Sequence, residues 1–274
     1  MELINKKYKI INEIGRGSFG FIYKGQNIRT NEYVAIKIEP IKNNTKLLKN
    51  ESVIYQYLNN NIGIPNVKWY GKDENNYYMV INLLGDSLQN LKNIKNTFSL
   101  KQVLQIGIII LNLLKTIHDK GLVHRDIKPE NFLLGLNKES KSIYIIDFGF
   151  CKTYMKDENH IIKKQTHNLI GSLTYASLNA HNFIELSRRD DLESLGYMLI
   201  YFYLGLLSWQ NISDFSGNEQ IKKLKTQIID NDEIPSVLIY YLKYVRSLEF
   251  EENPNYFLII DTFKREIEIL TKNS

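Results

Sequence analysis

Cysteine is nearly absent. The single Cys151 cannot close an internal disulfide or build a thiolate zinc cage, which excludes the stapled secreted scaffolds and fits a reducing compartment, cytoplasm or nucleus. Charge of one sign is not in excess either. The 35 basic and 30 acidic residues leave +5, too little to mark a dedicated nucleic-acid or membrane-surface binder. Long apolar runs are missing. The most apolar stretch, Val103 to Leu114, contains Gln105 and Asn112 and falls short of the roughly 18 residues of a membrane span, so it reads as a buried helix. The first twelve residues lack the apolar core and cleavage site of a signal peptide, and the expectation is that the chain starts where its fold starts. No repeat or low-complexity linker interrupts the sequence, and its many asparagines are scattered. What is present suffices to fold: 43% of 274 residues are hydrophobic, which excludes disorder and predicts one large lobe or two fused ones.

Short β-rich segments run from Tyr8 to Ile14, Phe21 to Gln26, Val34 to Glu39, Val67 to Gly71 and Tyr77 to Leu83. Gly, Asn and Asp turn residues separate them, so they predict a small antiparallel sheet. One helical pattern interrupts, with Leu47, Ile54 and Leu58 on a face that also carries Glu51. A carboxylate there needs a partner. After Gly85 the period becomes helical, through Val103, Ile106, Ile110, Leu113, Leu114 and Ile117, then Leu192, Leu195, Leu199 and Phe202, then Val237 to Leu248 and Tyr256 to Leu270. The fold class is therefore α+β: a small antiparallel sheet lobe with one helix, then a larger, mainly helical lobe, with the boundary near residues 83 to 87.

Gly15, Gly17 and Gly20 form G-x-G-x-x-G between two β-like segments, a pattern that lets backbone amides approach phosphates. Alone it is equally a glycine-rich hairpin turn. A dinucleotide site would need a helix directly after Gly20, whereas Phe21 to Gly25 reads as a strand. Seventeen residues after Gly20, Lys37 closes Val34-Ala35-Ile36-Lys37 on an apolar strand, where an unpaired ammonium is costly. Glu51 and Lys37 answer each other's need, leaving lysine donors for phosphates under the loop; a purely structural ion pair is the competing reading.

His124-Arg125-Asp126-Ile127-Lys128-Pro129-Glu130-Asn131 is the most informative segment. In a phosphoryl transferase, Asp126 accepts the proton of the attacking hydroxyl, Lys128 offsets charge at the γ-phosphate, and Asn131 offers an amide oxygen to a metal. Sixteen residues after Asn131, a strand-like stretch ends in Asp147-Phe148-Gly149, and Asp147 would hold Mg2+ on the phosphates. Singly, Asp147 is as well a turn residue and His124 a core histidine. Their order and spacing together argue otherwise.

These motifs resemble the eukaryotic protein kinases, and further residues resemble casein kinase I: Gly171-Ser172-Leu173-Thr174-Tyr175-Ala176-Ser177-Leu178-Asn179 in place of the usual Ala-Pro-Glu, Ser187 to Tyr197, Gly63-Ile64-Pro65 and Trp209-Gln210. The resemblance covers residues 8 to 265 and implies one bilobal kinase domain, with an N-lobe of about 8–84, a C-lobe of about 85–265 and a short extension at 266–274. It implies ATP at the lobe interface, Mg2+, and transfer of phosphate to Ser or Thr of protein substrates by a monomer without nucleic-acid or membrane partners. Asp126 is then the base, Lys128 the γ-phosphate contact, and Asn131 and Asp147 the metal ligands. Gly15, Gly17, Ser18 and Gly20 cover the phosphates with Lys37 and Glu51. Ile14, Ile22 and Ala35 cover adenine, Leu133 and Ile146 lie beneath it, Ile81 is the gatekeeper, and the backbone of Asn82 and Leu84 faces its edge. Ser172 stands for a threonine, and its hydroxyl is expected to bond Asp126 and Lys128. Asp191 is expected to accept backbone N–H bonds from the catalytic loop.

Two departures concern substrate choice. Thr174 stands where casein kinase I has arginine and His167 where it has lysine, which weakens binding of a priming phosphate. Lys152, Lys156, Lys163, Lys164, Lys222, Lys223 and Lys225 could still supply positive potential toward acidic substrates, or simply be solvated. Asn82 replaces a hinge glutamate, Cys151 reads as a small buried residue more than as a modifiable thiol, and no inhibitory tail is expected beyond Ser274. A pseudokinase scaffold is disfavoured because Lys37, Glu51, Asp126, Asn131 and Asp147 are all present. A small-molecule kinase is disfavoured by the match from Gly171 to Asn179.

Overall fold

The computed structural model describes residues 3–17, 20–43, 47–212 and 217–272, so Ser18 of the glycine-rich loop lies outside the described residues. The chain divides into two compact units, Met1–Asp86 with Phe132–Gly149, and Ser87–Asn131 with Phe150–Ser274.

In the first unit β1 (Tyr8–Gly17), β2 (Gly20–Asn27), β3 (Tyr33–Pro40), β4 (Val67–Lys72) and β5 (Asn76–Asn82) form an antiparallel sheet in the order β1-β2-β3-β5-β4. The two-residue side-chain period gives each face one task. Tyr8, Val34, Ile36 and Val80 make a buried cluster, with Tyr23, Trp69 and Tyr78 packed against it. The register pairs Ile22 with Lys37 and Ala35 with Ile81, so these four share the opposite face. Helix α1 (Leu47–Tyr57) buries Leu48, Glu51, Ser52 and Tyr55. That face is turned by about one residue from the Leu47 and Ile54 stripe expected from spacing, because Tyr55 carries more surface to bury than Ile54. The strands Phe132–Leu134 and Ile143–Ile145 pair as a hairpin. Backbone bonds from Gly85 to Leu134 (2.8 Å), Leu134 to Asp86 (2.9 Å) and Ile145 to Gly63 (2.9 Å) fasten it within this unit.

The second unit holds α2 (Leu88–Lys95), α3 (Leu100–Asp119), α4 (Leu178–His181), α5 (Arg188–Leu204), α6 (Asn218–Gln227), α7 (Ser236–Ser247) and α8 (Tyr256–Lys272). A Ser99 and Gln102 capping box starts α3, and Gly205 in the left-handed region (φ 85°) ends α5. Helix α3 corrects the expectation set by Val103 to Leu114. Among the described residues it is the one helix long and apolar enough, by length and composition, to cross a membrane, since glutamine and asparagine interrupt it less than charges would. It packs against α5 and α8 and buries Val103, Leu104, Ile110, Leu111, Leu114 and Ile117. Helix α5 is buried all round from Arg188 to Phe202, so its acidic residues must find partners inside.

Candidate active site

In the first unit, Lys37 on β3 donates to Glu51 Oε2 at 2.7 Å and to Asp147 Oδ1 at 3.1 Å. Burial pulls its pKa down, but the two carboxylates outweigh that and hold it above the ordinary lysine range. Two residues along the same strand, buried Glu39 accepts the N–H of Leu48 at 2.6 Å, satisfying an orphan donor of the first turn of α1. So β3 grips α1 at successive turns. Asp147 takes φ 65°, and its N–H donates to Tyr55 Oη at 3.2 Å.

The glycines of the loop differ in what the fold asks of them. A Cβ at Gly20 would lie 1.9 Å from the carbonyl oxygen of Ile38, so close strand packing alone requires glycine. At Gly15 a Cβ would meet only Ile22 atoms at an ordinary 3.8 Å. Ala35 is buried, while Ile22, Ile81, Asn82, Leu84, Leu133 and Ile146 are half-buried and Ile14 is exposed. All these residues belong to the first unit. The side-chain oxygen of Asn82 accepts the N–H of Asn66 at 2.9 Å within the unit.

In the second unit, Asp126 is 4% exposed and both of its oxygens are held. Lys128 Nζ donates to Oδ2 at 2.6 Å and the backbone N–H of Ser172 donates to Oδ1 at 3.1 Å. The hydroxyl of Ser172 was the expected donor. The backbone supplies the bond instead because Gly171, at φ 93°, brings the chain so close that a Cβ there would sit 2.7 Å from the carbonyl oxygen of Arg125. Asn131 Nδ2 donates to the carbonyl of Asp126 at 2.8 Å and to Oδ2 at 3.3 Å, which turns its amide oxygen away from that carboxylate. The N–H groups of His124 and Arg125 both donate to Asp191 at 2.7 Å, as expected, and His118 Nε2 adds a bond at 2.9 Å. Burial pushes Asp191 up, yet these donors hold it below the usual carboxylate range.

The lysines expected to supply surface potential separate into classes. Lys152 Nζ lies 2.7 Å from buried Glu185, whose other oxygen faces Arg125 at 3.6 Å. Lys222 pairs with Glu219. Lys225 contradicts the expectation outright: it is fully buried, donates to the carbonyls of Leu173 (2.9 Å) and Ala176 (2.6 Å) and to His181 Nε2 (2.9 Å), and lies over the rings of Tyr197 and Trp209. Burial pulls its pKa down, while three acceptors and two aromatic faces favour the ammonium. Trp209 Nε1 takes the carbonyl of Thr174 at 2.8 Å, so the Leu173 to Ala176 segment is pinned from behind. Lys156, Lys163, Lys164 and Lys223 remain exposed. Burial, chiefly, and the charge of Asp191 push the Cys151 thiol up to about 12, which keeps it protonated and unreactive.

Sequence reasoning missed Glu39, Tyr55, Glu185 and the Lys225 cage. Glu39 lies two residues from Lys37 and Tyr55 four from Glu51, so each shares a face with a residue that spacing did find. Glu185 and Lys225 carry no such signal. The family model described as protein kinase domain matches residues 8–260 of this chain.

Proposed function

This chain belongs to the protein kinase family, and from that premise we propose a serine/threonine kinase of the casein kinase I type acting on acidic proteins. As a member it has the α+β bilobal kinase fold and is a phosphotransferase of protein substrates, in a family that uses ATP with Mg2+. One observation carries the reading: a buried aspartate whose two oxygens are fixed, one by a lysine and one by a backbone N–H.

Asp126 receives the proton of the acceptor hydroxyl. Lys128, bonded to it, offsets the charge that develops on the transferred group. Gly15, where the fold itself makes no demand for glycine, leaves the loop backbone open to phosphates, and Lys37 directs its remaining donor at them. Taken singly, each expected ligand has the chemistry Mg2+ takes: in the first unit Asp147 offers a half-buried carboxylate, and in the second unit Asn131, with its nitrogen engaged, an amide oxygen. Bound there, Mg2+ would supply charge neutralisation to the phosphate groups. The motif resemblance from Gly171 to Asn179 supports the casein kinase I type and Ser or Thr acceptors. Lys156, Lys163 and Lys164 support acidic substrates, and Thr174 and His167 support weak dependence on a priming phosphate. We further propose an intracellular monomer acting without nucleic acid or membrane, with α3 as a core helix.

The test is transfer from radiolabelled ATP to casein, followed by phosphoamino-acid analysis. The native chain labels serine and threonine; Asp126→Asn, with the same folded signal, loses about 10²–10⁴-fold in rate. Equal labelling by the two proteins, or label on tyrosine alone, overturns the reading.

A further inference from the structure

Two non-glycine residues of the site hold their backbone in the left-handed region, Arg125 at φ 69° and Asp147 at φ 65°. Such a conformation persists only where the surroundings enforce it. For Arg125 the enforcing group is Asp191, a buried carboxylate on α5 that accepts its N–H at 2.7 Å. Asp147 has a counterpart in its own unit. Tyr55 on α1, 1% exposed, accepts the N–H of Asp147 at 3.2 Å, and its ring stands edge-on to Phe148 with centroids 4.8 Å apart. Burial and the nearby Glu51 charge raise the Tyr55 pKa, so the group is a neutral phenol throughout the working range.

Tyr55 follows Glu51 by one helical turn, so the two point from one face of α1. Glu51 takes Lys37 at 2.7 Å, Lys37 takes Asp147 Oδ1 at 3.1 Å, and Tyr55 takes the N–H of the same aspartate. The carboxylate is thereby held at its side chain by β3 and at its backbone by α1. We propose that the Tyr55 hydroxyl is a positioning residue for the Mg2+ ligand Asp147, fixing the left-handed backbone from which that carboxylate projects. This rests on the reading of Asp147 as a metal ligand. Without the hydroxyl the aspartate loses the acceptor for its N–H and the carboxylate samples directions that do not serve the metal, although the ring of a phenylalanine keeps the packing against Phe148.

The experiment compares the native chain with Tyr55→Phe and Asp147→Asn. Each is followed by thermal unfolding with a non-hydrolysable ATP analogue while Mg2+ is titrated, and by amide hydrogen exchange of the peptide containing residue 147. In the native chain Mg2+ adds a saturable increment to Tm. Tyr55→Phe is expected to keep its ligand-free Tm within about 2 °C, to need about five- to tenfold more Mg2+ for half the increment, and to exchange the residue 147 amide faster. The inference is overturned if Tyr55→Phe shows the native Mg2+ midpoint while Asp147→Asn loses the increment. It is equally overturned if Tyr55→Phe lowers Tm substantially without moving the midpoint, since the hydroxyl then serves stability alone. An intact increment in Asp147→Asn removes the metal-ligand reading itself, and the inference with it.

Discussion

Buried polar side chains at this site act by holding backbone, and Lys225 shows what such a group is worth. Its ammonium meets two carbonyls and one imidazole, so Lys225→Met fills the space but strands Leu173 and Ala176. We expect a loss of about 2–4 kcal/mol in urea unfolding, together with a higher KM for peptide, because the segment beside Ser172 loosens. His181 completes the cage. Burial and the charge of Lys225 push its pKa down to about 4 from 6.5, so between those values the unfolded chain binds more protons than the folded one. Stability therefore rises with pH across that window and is lost as pH falls through it, by up to roughly 3 kcal/mol. His181→Gln, which can still accept from Lys225, should flatten the dependence when unfolding is compared between pH 4.5 and 7. A parallel slope in the two proteins would assign the effect to other groups.

At the scale of elements, α1 is set by β3 more than by its own sequence. Its first turn takes a carboxylate from Glu39 on the strand, and its second presents Glu51 to Lys37 on the same strand. Glu39→Ala should cost about 1–2 kcal/mol of stability and raise the KM for ATP several-fold, because the helix that carries Glu51 is no longer anchored. Glu39→Gln keeps an acceptor and should recover most of that KM; measuring ATP dependence in the two variants decides the matter. The strands of the sheet and α3, α5, α7 and α8 were legible from apolar period. Helices α2 and α6 were not, since the first buries only Leu88 and the second buries Asn218, Ile221 and Lys225, too few apolar residues to leave a period. The hairpin of Phe132–Leu134 and Ile143–Ile145 was half legible, through its second strand alone.

For the whole molecule, the modest net charge conceals an uneven distribution. Lys152 and Lys222 are neutralised by Glu185 and Glu219, exposed Lys164 also lies 4.0 Å from Glu185, and Lys225 is inside, which leaves Lys156, Lys163 and Lys223 as the other exposed charges among these lysines. Solvated lysines attract acidic substrates over about a Debye length and are screened by salt. The KM for an acidic peptide should rise about two- to fivefold between 50 and 300 mM salt while that of a matched neutral peptide stays level. Equal turnover of the two peptides at low salt would overturn the acidic preference, and a strong requirement for upstream phosphoserine would overturn the reading of Thr174 and His167.

The sequence by itself determined the chemistry: which acids, lysines and amides occur, in what order, and on which kind of element, because periodicity and short motifs are local properties of a chain. The tertiary structure alone decided which atoms meet. Tyr55 and Asp147 are 92 positions apart, and Lys225 and Leu173 are 52 apart. At Asp126 the backbone of Ser172 makes the bond expected of its hydroxyl, and at Lys225 a lysine expected at the surface is enclosed. Both outcomes depend on how closely distant segments approach, and that is set by packing around the buried groups rather than by the residues on either side of them.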